Sequence, residues 1–101
     1  MNLGKAISLS RARRGLTQAQ LAKAASLSVS YLSLLEQNKR TDPSLSTIQS
    51  IAEALHIPTG VLFFLAADEK EMSGLDIELQ QRLALSALSL LNEPLPQKGL
   101  I

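Results

Sequence analysis

The chain has 101 residues, of which 46% are hydrophobic, and it contains no cysteine. This length and composition suit one domain with a compact core, and the lack of thiols excludes zinc sites with cysteine ligands and disulfide frameworks. The longest apolar run, residues 61–67, is far shorter than the ~20 residues that a membrane span needs. We therefore expect a cytoplasmic protein with no membrane partner.

The formal net charge of +1 conceals a division along the chain. Residues 1–40 contain seven basic residues and one acidic residue, whereas residues 41–101 contain three basic and eight acidic residues. A basic segment beside an acidic one favours a polyanion-binding face backed by a segment that faces elsewhere. A solvated charge pattern on a stable globule explains the same division equally well.

The apolar spacing predicts helices, because apolar residues recur at intervals of three and four and no segment alternates with period two. The first helix is expected from Leu3 to Arg14, followed by Gly15 in a left-handed conformation. Thr17, with Gln20 three residues later, predicts a capping box at the start of a short second helix. The chain therefore begins with two short helices.

A turn at residues 26–27 leads to a third helix, which Ser28 caps and Asn38 closes. A fourth helix is expected after the breaker at residues 42–43, and a brief fifth helix begins near Pro58. These elements predict an all-α fold of five short helices, to which a C-terminal helix is added.

Residues 68–74 contain three acidic residues and are expected to form an acidic linker. A further helix, capped by Ser73 or Asp76, is then predicted to run to about Asn92. This helix is too rich in leucine to be solvated on every face, so it needs a partner. The alternatives are the chain's own core and a second copy of the chain.

We favour the second copy and treat residues 75–101 as a dimerisation element, because a small module that binds a polyanion gains affinity when two copies bind two sites. The tail from Glu93 reads as an irregular extension, whose last residues Leu100 and Ile101 pack on a partner or fray. The residues expected at the dimer contact are Leu79, Leu83, Ala87, Leu90 and Leu91.

An ordered set of motifs lies between Leu3 and Leu65. It consists of Leu16-Thr17-Gln18, Leu21-Ala22, Ser28, Tyr31-Leu32-Ser33, Leu35-Glu36, Lys39-Arg40, Pro43-Ser44, Ile48, Ile51-Ala52, Ala54-Leu55 and Leu62-Phe63. With this spacing the segment resembles the Cro/C1-type, or Xre, family of helix-turn-helix regulators of bacteria and phages. The resemblance covers about two thirds of the chain and implies a five-helix, lambda-repressor-like DNA-binding domain at residues 1–67.

By this resemblance the third helix, residues 28–36, is the recognition helix that enters the major groove of DNA. Relatives commonly have glutamine, arginine or asparagine at its outward positions, whereas this helix offers hydroxyl and apolar groups. Such groups make weakly directed contacts to base edges and thymine methyl groups, so specificity is expected to rest partly on DNA shape. The positions expected to face bases are Ser28, Val29, Ser30, Ser33 and Leu34.

Other positions are expected to contact phosphates. Gln18 matches the family glutamine that reaches a phosphate and braces the recognition helix, and Thr17 lies at a helix N-terminus, where N–H groups attract anions. Tyr31 either directs its hydroxyl to a phosphate or only packs its ring. Four basic residues are further candidates, although surface solvation explains each equally well: Arg13, Arg14, Lys39 and Arg40.

Two positions are expected to act on the fold itself. Arg11 and Glu36 match a pair that the family uses as a partly buried ion pair between the first and third helices, and we favour this role for Arg11 over a phosphate contact. Ser26 stands where the family usually has glycine, and a left-handed serine costs about 1 kcal/mol. A slightly different turn is therefore expected.

These features predict a homodimeric, sequence-specific transcriptional regulator, with repression as the expected outcome, that binds an inverted repeat in double-stranded DNA. The alternative is a protein-interaction module or antitoxin-like protein on the same fold, since Val29 and Leu34 also suit protein docking. An enzyme is not expected, because the single histidine, His56, has no accompanying nucleophile or metal-ligand cluster. No cofactor and no metal are expected.

Overall fold

The computed structural model describes residues 1–95, and this part of the chain contains seven helices and no strand. The predicted all-α class is confirmed. The helices are α1 (Leu3–Arg13), α2 (Gln18–Ala24), α3 (Val29–Glu36), α4 (Leu45–Ala54), α5 (Thr59–Ala66), α6 (Glu69–Met72) and α7 (Ile77–Asn92). The expectation for Leu100 and Ile101 falls outside residues 1–95. No single helix of this part is both long and apolar enough to cross a membrane, and only the pair α4 and α5, bent by 104°, passes by length and composition.

One apolar core lies between the first five helices. Each of them contributes at least one fully buried large side chain. α1 packs mainly against α5 and α3, while α2 packs against α3 and α4. These contacts fix the orientation of α3, which has one side in the core and the other at the surface. From α1 to α5 in turn, these side chains include Ile7, Leu21, Leu32, Ile51 and Leu62.

The first four helices all end in the same way, with a residue in the left-handed region directly after the helix cap. The φ angles are 70° at Gly15, 58° at Ser26, 58° at Asn38 and 55° at His56. The following N–H then bonds back to the last turn and satisfies a free carbonyl group, as in the 2.8 Å bond from Leu27 N–H to the Ala22 carbonyl oxygen. The predictions for Gly15 and Asn38 are confirmed. The expectation of a different turn at Ser26 is wrong, because this serine adopts the conformation that glycine usually supplies.

Gly4 lets α1 approach the end of α3 more closely than any other residue would. A Cβ atom at this position would collide with the carbonyl oxygen of Leu35 and would lie 2.6 Å from Asn38 Oδ1. Asn38 Nδ2 also donates a hydrogen bond to Asn2 Oδ1 at 2.9 Å. The start of α1 therefore supports the C-terminal end of α3.

The predicted acidic linker contains the short helix α6. Asp68 Oδ1 accepts a hydrogen bond from Glu71 N–H at 2.8 Å, and Glu71 Oε1 accepts one from Asp68 N–H at 3.1 Å. The Met1 α-amino group lies 2.8 Å from Glu71 Oε1 and lowers the pKa of that carboxyl group. The reciprocal capping bonds explain why the segment forms a helical turn instead of an extended linker.

The C-terminal helix α7 begins and ends where the sequence predicts, with Asp76 as its cap. Its second half packs on the core of the chain: Ala87 and Leu91 are buried, and Leu90 is half-buried against the same core. Leu90 and Leu91 are therefore removed from the predicted dimer contact, because their apolar surface is used within one subunit, whereas Ala87 lines a cleft between α5 and α7. Leu79 and Leu83 remain exposed.

Candidate nucleic-acid interface

Hydroxyl groups cap both helices of the helix-turn-helix unit. Thr17 Oγ1 accepts a hydrogen bond from Gln20 N–H at 3.1 Å, and Gln20 Oε1 accepts one from Thr17 N–H at 2.8 Å. At the start of α3, Ser28 Oγ accepts a hydrogen bond from Tyr31 N–H at 3.0 Å. Both predicted caps are confirmed. The remaining N–H groups and the helix dipoles give these exposed ends a partial positive charge, which suits contact with phosphate.

Glu36 connects the first three helices. Its carboxylate accepts hydrogen bonds from Arg11 Nε at 2.8 Å, from Arg11 Nη2 at 3.0 Å and from Gln18 Nε2 at 3.1 Å. Arg11 Nη1 also donates to the Leu16 carbonyl oxygen at 2.9 Å. The Glu36 side chain is only 6% exposed, and these hydrogen bonds compensate for the loss of water around its carboxylate oxygens. The predicted ion pair is confirmed, and Gln18 braces α3 as expected, while its phosphate contact stays a prediction.

The outward side of α3 presents the predicted base-reading residues, which we define together as the recognition surface: Ser28, Val29, Ser30, Ser33 and Leu34. The first three are exposed, and the last two are half-buried. Leu32 and Leu35 occupy the opposite side of the helix and are buried in the core. The N-terminal part of α3 is therefore the most accessible part of this surface.

Gln37 extends the recognition surface at its C-terminal end, although the sequence prediction omits it by ending the recognition helix at Glu36. The side chain is exposed, and its Nε2 atom donates a hydrogen bond to Ser33 Oγ at 2.7 Å. The sequence spacing could have identified Gln37, because it lies four residues after Ser33 and seven after Ser30 and so shares their side of the helix.

The remaining predicted phosphate contacts differ in exposure. Arg13, Thr17, Lys39 and Arg40 are exposed, whereas Gln18 and Tyr31 are half-buried. The Arg40 guanidinium lies 5.5 Å from the centre of the Tyr31 ring. This cation–π arrangement holds the segment after α3 against the helix. The Tyr31 ring also packs on the core, so its packing role is observed and its phosphate contact stays a prediction.

Arg14 is directed at the chain's own backbone. Its guanidinium donates to the carbonyl oxygens of Leu55 at 2.9 Å, His56 at 2.9 Å and Glu93 at 2.6 Å. The first two carbonyl groups end α4, and the third lies at the end of α7, so Arg14 joins two helix ends. We therefore remove Arg14 from the predicted phosphate contacts and assign it a structural role.

His56 is exposed and forms the left-handed end of α4, where Arg14 binds its carbonyl oxygen. Within residues 1–95, no three histidine, aspartate or glutamate side chains are grouped as a metal ion would require.

An apolar cleft separates α5 from the exposed part of α7. It has a volume of about 320 Å³, and its walls include Val61 and Phe64 of α5 and Leu83 of α7. Leu79 lies one helical turn before Leu83 and is also exposed. The cleft and the two leucines form one apolar strip on the surface of the chain, which we call the α5–α7 strip.

Comparison with known proteins agrees with this geometry. The family model described as helix-turn-helix matches residues 7–62, which is more than half of the chain. The chain is also 34% identical to the immunity repressor protein of Bacillus phage phi105, in an alignment that covers 98% of this chain and 77% of the phage protein. The chain therefore belongs to the Cro/C1-type helix-turn-helix family of DNA-binding transcriptional regulators.

Proposed function

We propose that this regulator is a cytoplasmic repressor that binds an inverted-repeat operator as a homodimer. Family membership and the similarity to a phage immunity repressor support repression. The observation that carries the proposal is the exposed side of α3, held rigid from behind by Leu32, Leu35 and the Glu36 ion pair. A rigid helix with an accessible outer side is what major-groove recognition requires.

In this proposal α3 of each subunit enters the major groove, while α2 crosses the DNA backbone. The serine hydroxyl groups of the recognition surface bond to base edges, and Val29 and Leu34 lie against thymine methyl groups. The two recognition helices lie on one face of the duplex and reach half-sites about one helical turn, roughly 34 Å, apart.

Phosphate contacts position the recognition helix and supply much of the affinity. Since Arg14 is used internally, the exposed cations proposed for this role are Arg13, Lys39 and Arg40. Thr17, Gln18 and Tyr31 add neutral contacts at the starts of α2 and α3. Binding of the duplex should therefore weaken steeply as salt is added, because phosphate neutralisation releases counterions.

The α5–α7 strip supports a two-fold dimer. Leu79 and Leu83 of one subunit fit the chemistry of the apolar cleft of the other, and the same pairing then occurs twice across the symmetry axis. The second half of α7 packs in the core through Leu91, so the exposed half has a fixed position on each subunit. A dimer formed through this half would hold the two α3 helices at a fixed distance, as a defined half-site spacing requires.

A charge in the α5–α7 strip tests the dimer. Leu79→Asp should give monomers in sedimentation velocity, because each interface would then bury two unpaired carboxylates. Ile77→Asp is the matched control, since Ile77 is exposed but lies about 200° around the helix from Leu79. A dimeric Leu79→Asp variant would place the interface elsewhere.

Selection of bound sequences from a random duplex library tests the function as a whole. A palindromic preferred sequence, with affinity that falls steeply with salt, is the expected result. Weak binding without a preferred sequence would contradict operator recognition. That outcome would favour the protein-interaction alternative, with exposed Val29 and the α5–α7 strip as the first surfaces on which to look for a partner.

A further inference from the structure

We propose that Gln37 is a further specificity-determining residue, whose side-chain amide, positioned by Ser33, reads an adenine in the major groove of each half-site. This inference rests on the proposed function, because it assumes that α3 lies in the groove. It assigns a directed contact to a recognition surface that otherwise presents only hydroxyl and apolar groups.

The helix geometry places Gln37 on the DNA-facing side. Seven residues separate it from Ser30, and at 100° per residue the two side chains leave the helix within about 20° of the same direction. Leu32 and Leu35, both buried, mark the opposite side. Gln37 lies about 10 Å further along the axis than Ser30, so the two residues would contact different base pairs.

One hydrogen bond orients the Gln37 side-chain amide and leaves its other hydrogen-bonding groups free. Nε2 donates one hydrogen to Ser33 Oγ at 2.7 Å, which leaves its second N–H and the Oε1 acceptor available. One donor beside one acceptor is the pattern that pairs with N7 and the N6 amino group of adenine. Because the Ser33 bond restricts the side chain before DNA arrives, less rotamer entropy is lost on binding.

Other amides near the helix-turn-helix unit are engaged differently. Gln18 Nε2 donates to the Glu36 carboxylate, and Gln20 Oε1 closes the capping box of α2. Gln37 is bound only through a neighbouring hydroxyl of the recognition surface itself. Since it carries no charge, it gives little of the nonspecific attraction that Lys39 and Arg40 offer to phosphates. Its contribution should depend on the base that it meets.

Selection from a random duplex library with the full chain tests this inference. For Gln37→Ala we expect the preferred sequence to lose its adenine at one symmetric pair of positions and to stay the same elsewhere. Affinity for the wild-type operator should fall about 5- to 150-fold per half-site, the range that a bidentate base contact supplies. Ser33→Ala should keep the adenine preference in weakened form, because the amide loses its support.

Gln49→Ala is the matched control, since Gln49 is an exposed glutamine of α4 and its replacement should change neither affinity nor preferred sequence.

A uniform loss of affinity for Gln37→Ala, with an unchanged preferred sequence, would mean a phosphate contact and overturn the inference. Unchanged binding would also overturn it. If the wild-type chain itself selects no sequence, the proposed function fails; if only the Gln37→Ala comparison fails, this inference alone is lost. Circular dichroism confirms that each variant is folded.

Discussion

The five-helix domain at residues 3–66 and the C-terminal helix α7 use their apolar residues in different ways. In the domain, the repeating apolar positions of α2 and α3 converge on one core, as Leu21 and Leu32 show by their complete burial. In α7, Leu91 in the second half is 1% exposed, while Leu79 and Leu83 in the first half are 40% and 37% exposed. A single helix thus has one part that packs on the core of its own chain and another whose leucines stay exposed. In the proposed dimer, mutations within α7 should therefore separate stability from association.

The largest change in the free energy of unfolding is expected from a mutation in the buried part of α7. Leu91→Ala should lower the free energy of unfolding by about 2–5 kcal/mol, because it removes buried methyl groups and leaves a cavity in the shared core. Leu85→Ala is the matched control and should change stability by no more than about 0.5 kcal/mol. Urea unfolding of the two variants measures the contrast. Equal effects would show that α7 is not divided in this way.

A smaller loss of stability is expected when Arg14, which joins the ends of α4 and α7, is replaced. Arg14→Ala removes three hydrogen bonds from a charged group to the ends of α4 and α7 and should lower the free energy of unfolding by about 1.5–3 kcal/mol. Arg13→Ala removes an exposed charge next to it and should leave stability nearly unchanged, while reducing DNA affinity and its salt dependence. Thermal unfolding and salt titration of operator binding distinguish the two roles. A stable Arg14→Ala variant with impaired DNA binding would restore the phosphate role.

The smallest change in the free energy of unfolding is expected in the turn before α3. Ser26→Gly should raise the free energy of unfolding by about 1 kcal/mol, because glycine adopts the left-handed conformation without a steric cost. Gly15→Ala is the opposite test, since its added Cβ would meet no atom within 4 Å and its cost of about 1 kcal/mol would report conformation alone. If Ser26→Gly is destabilising, the serine side chain has a favourable contact in the turn.

The sequence predicted the features that depend on neighbouring residues. The caps at Thr17 and Ser28 and the left-handed ends at Gly15 and Asn38 follow from local rules, and the structure confirms them. Arg11 and Glu36 lie on different helices, so local rules could not pair them, and the ion pair was predicted from the family resemblance. A second capping box, at Asp68 in the acidic segment, carried an equally local signal that the charge pattern obscured.

Features that depend on distant contacts could not be predicted. Arg14 bonds to carbonyl groups 41 to 79 residues away, and an exposed-looking basic run gives no indication of these partners. The leucine pattern of α7 shows that apolar faces exist but not which one meets the core. At Ser26 the conformational preference of serine was overridden, because Leu27 packs against the core and Leu27 N–H bonds to Ala22, which together hold the turn.

The mass of the complex between the full chain and its selected duplex tests the central claim most directly. Native mass spectrometry at saturation should show two chains on one duplex that contains both half-sites. One chain on the full operator would contradict the proposed dimer, and the absence of any complex would contradict operator binding.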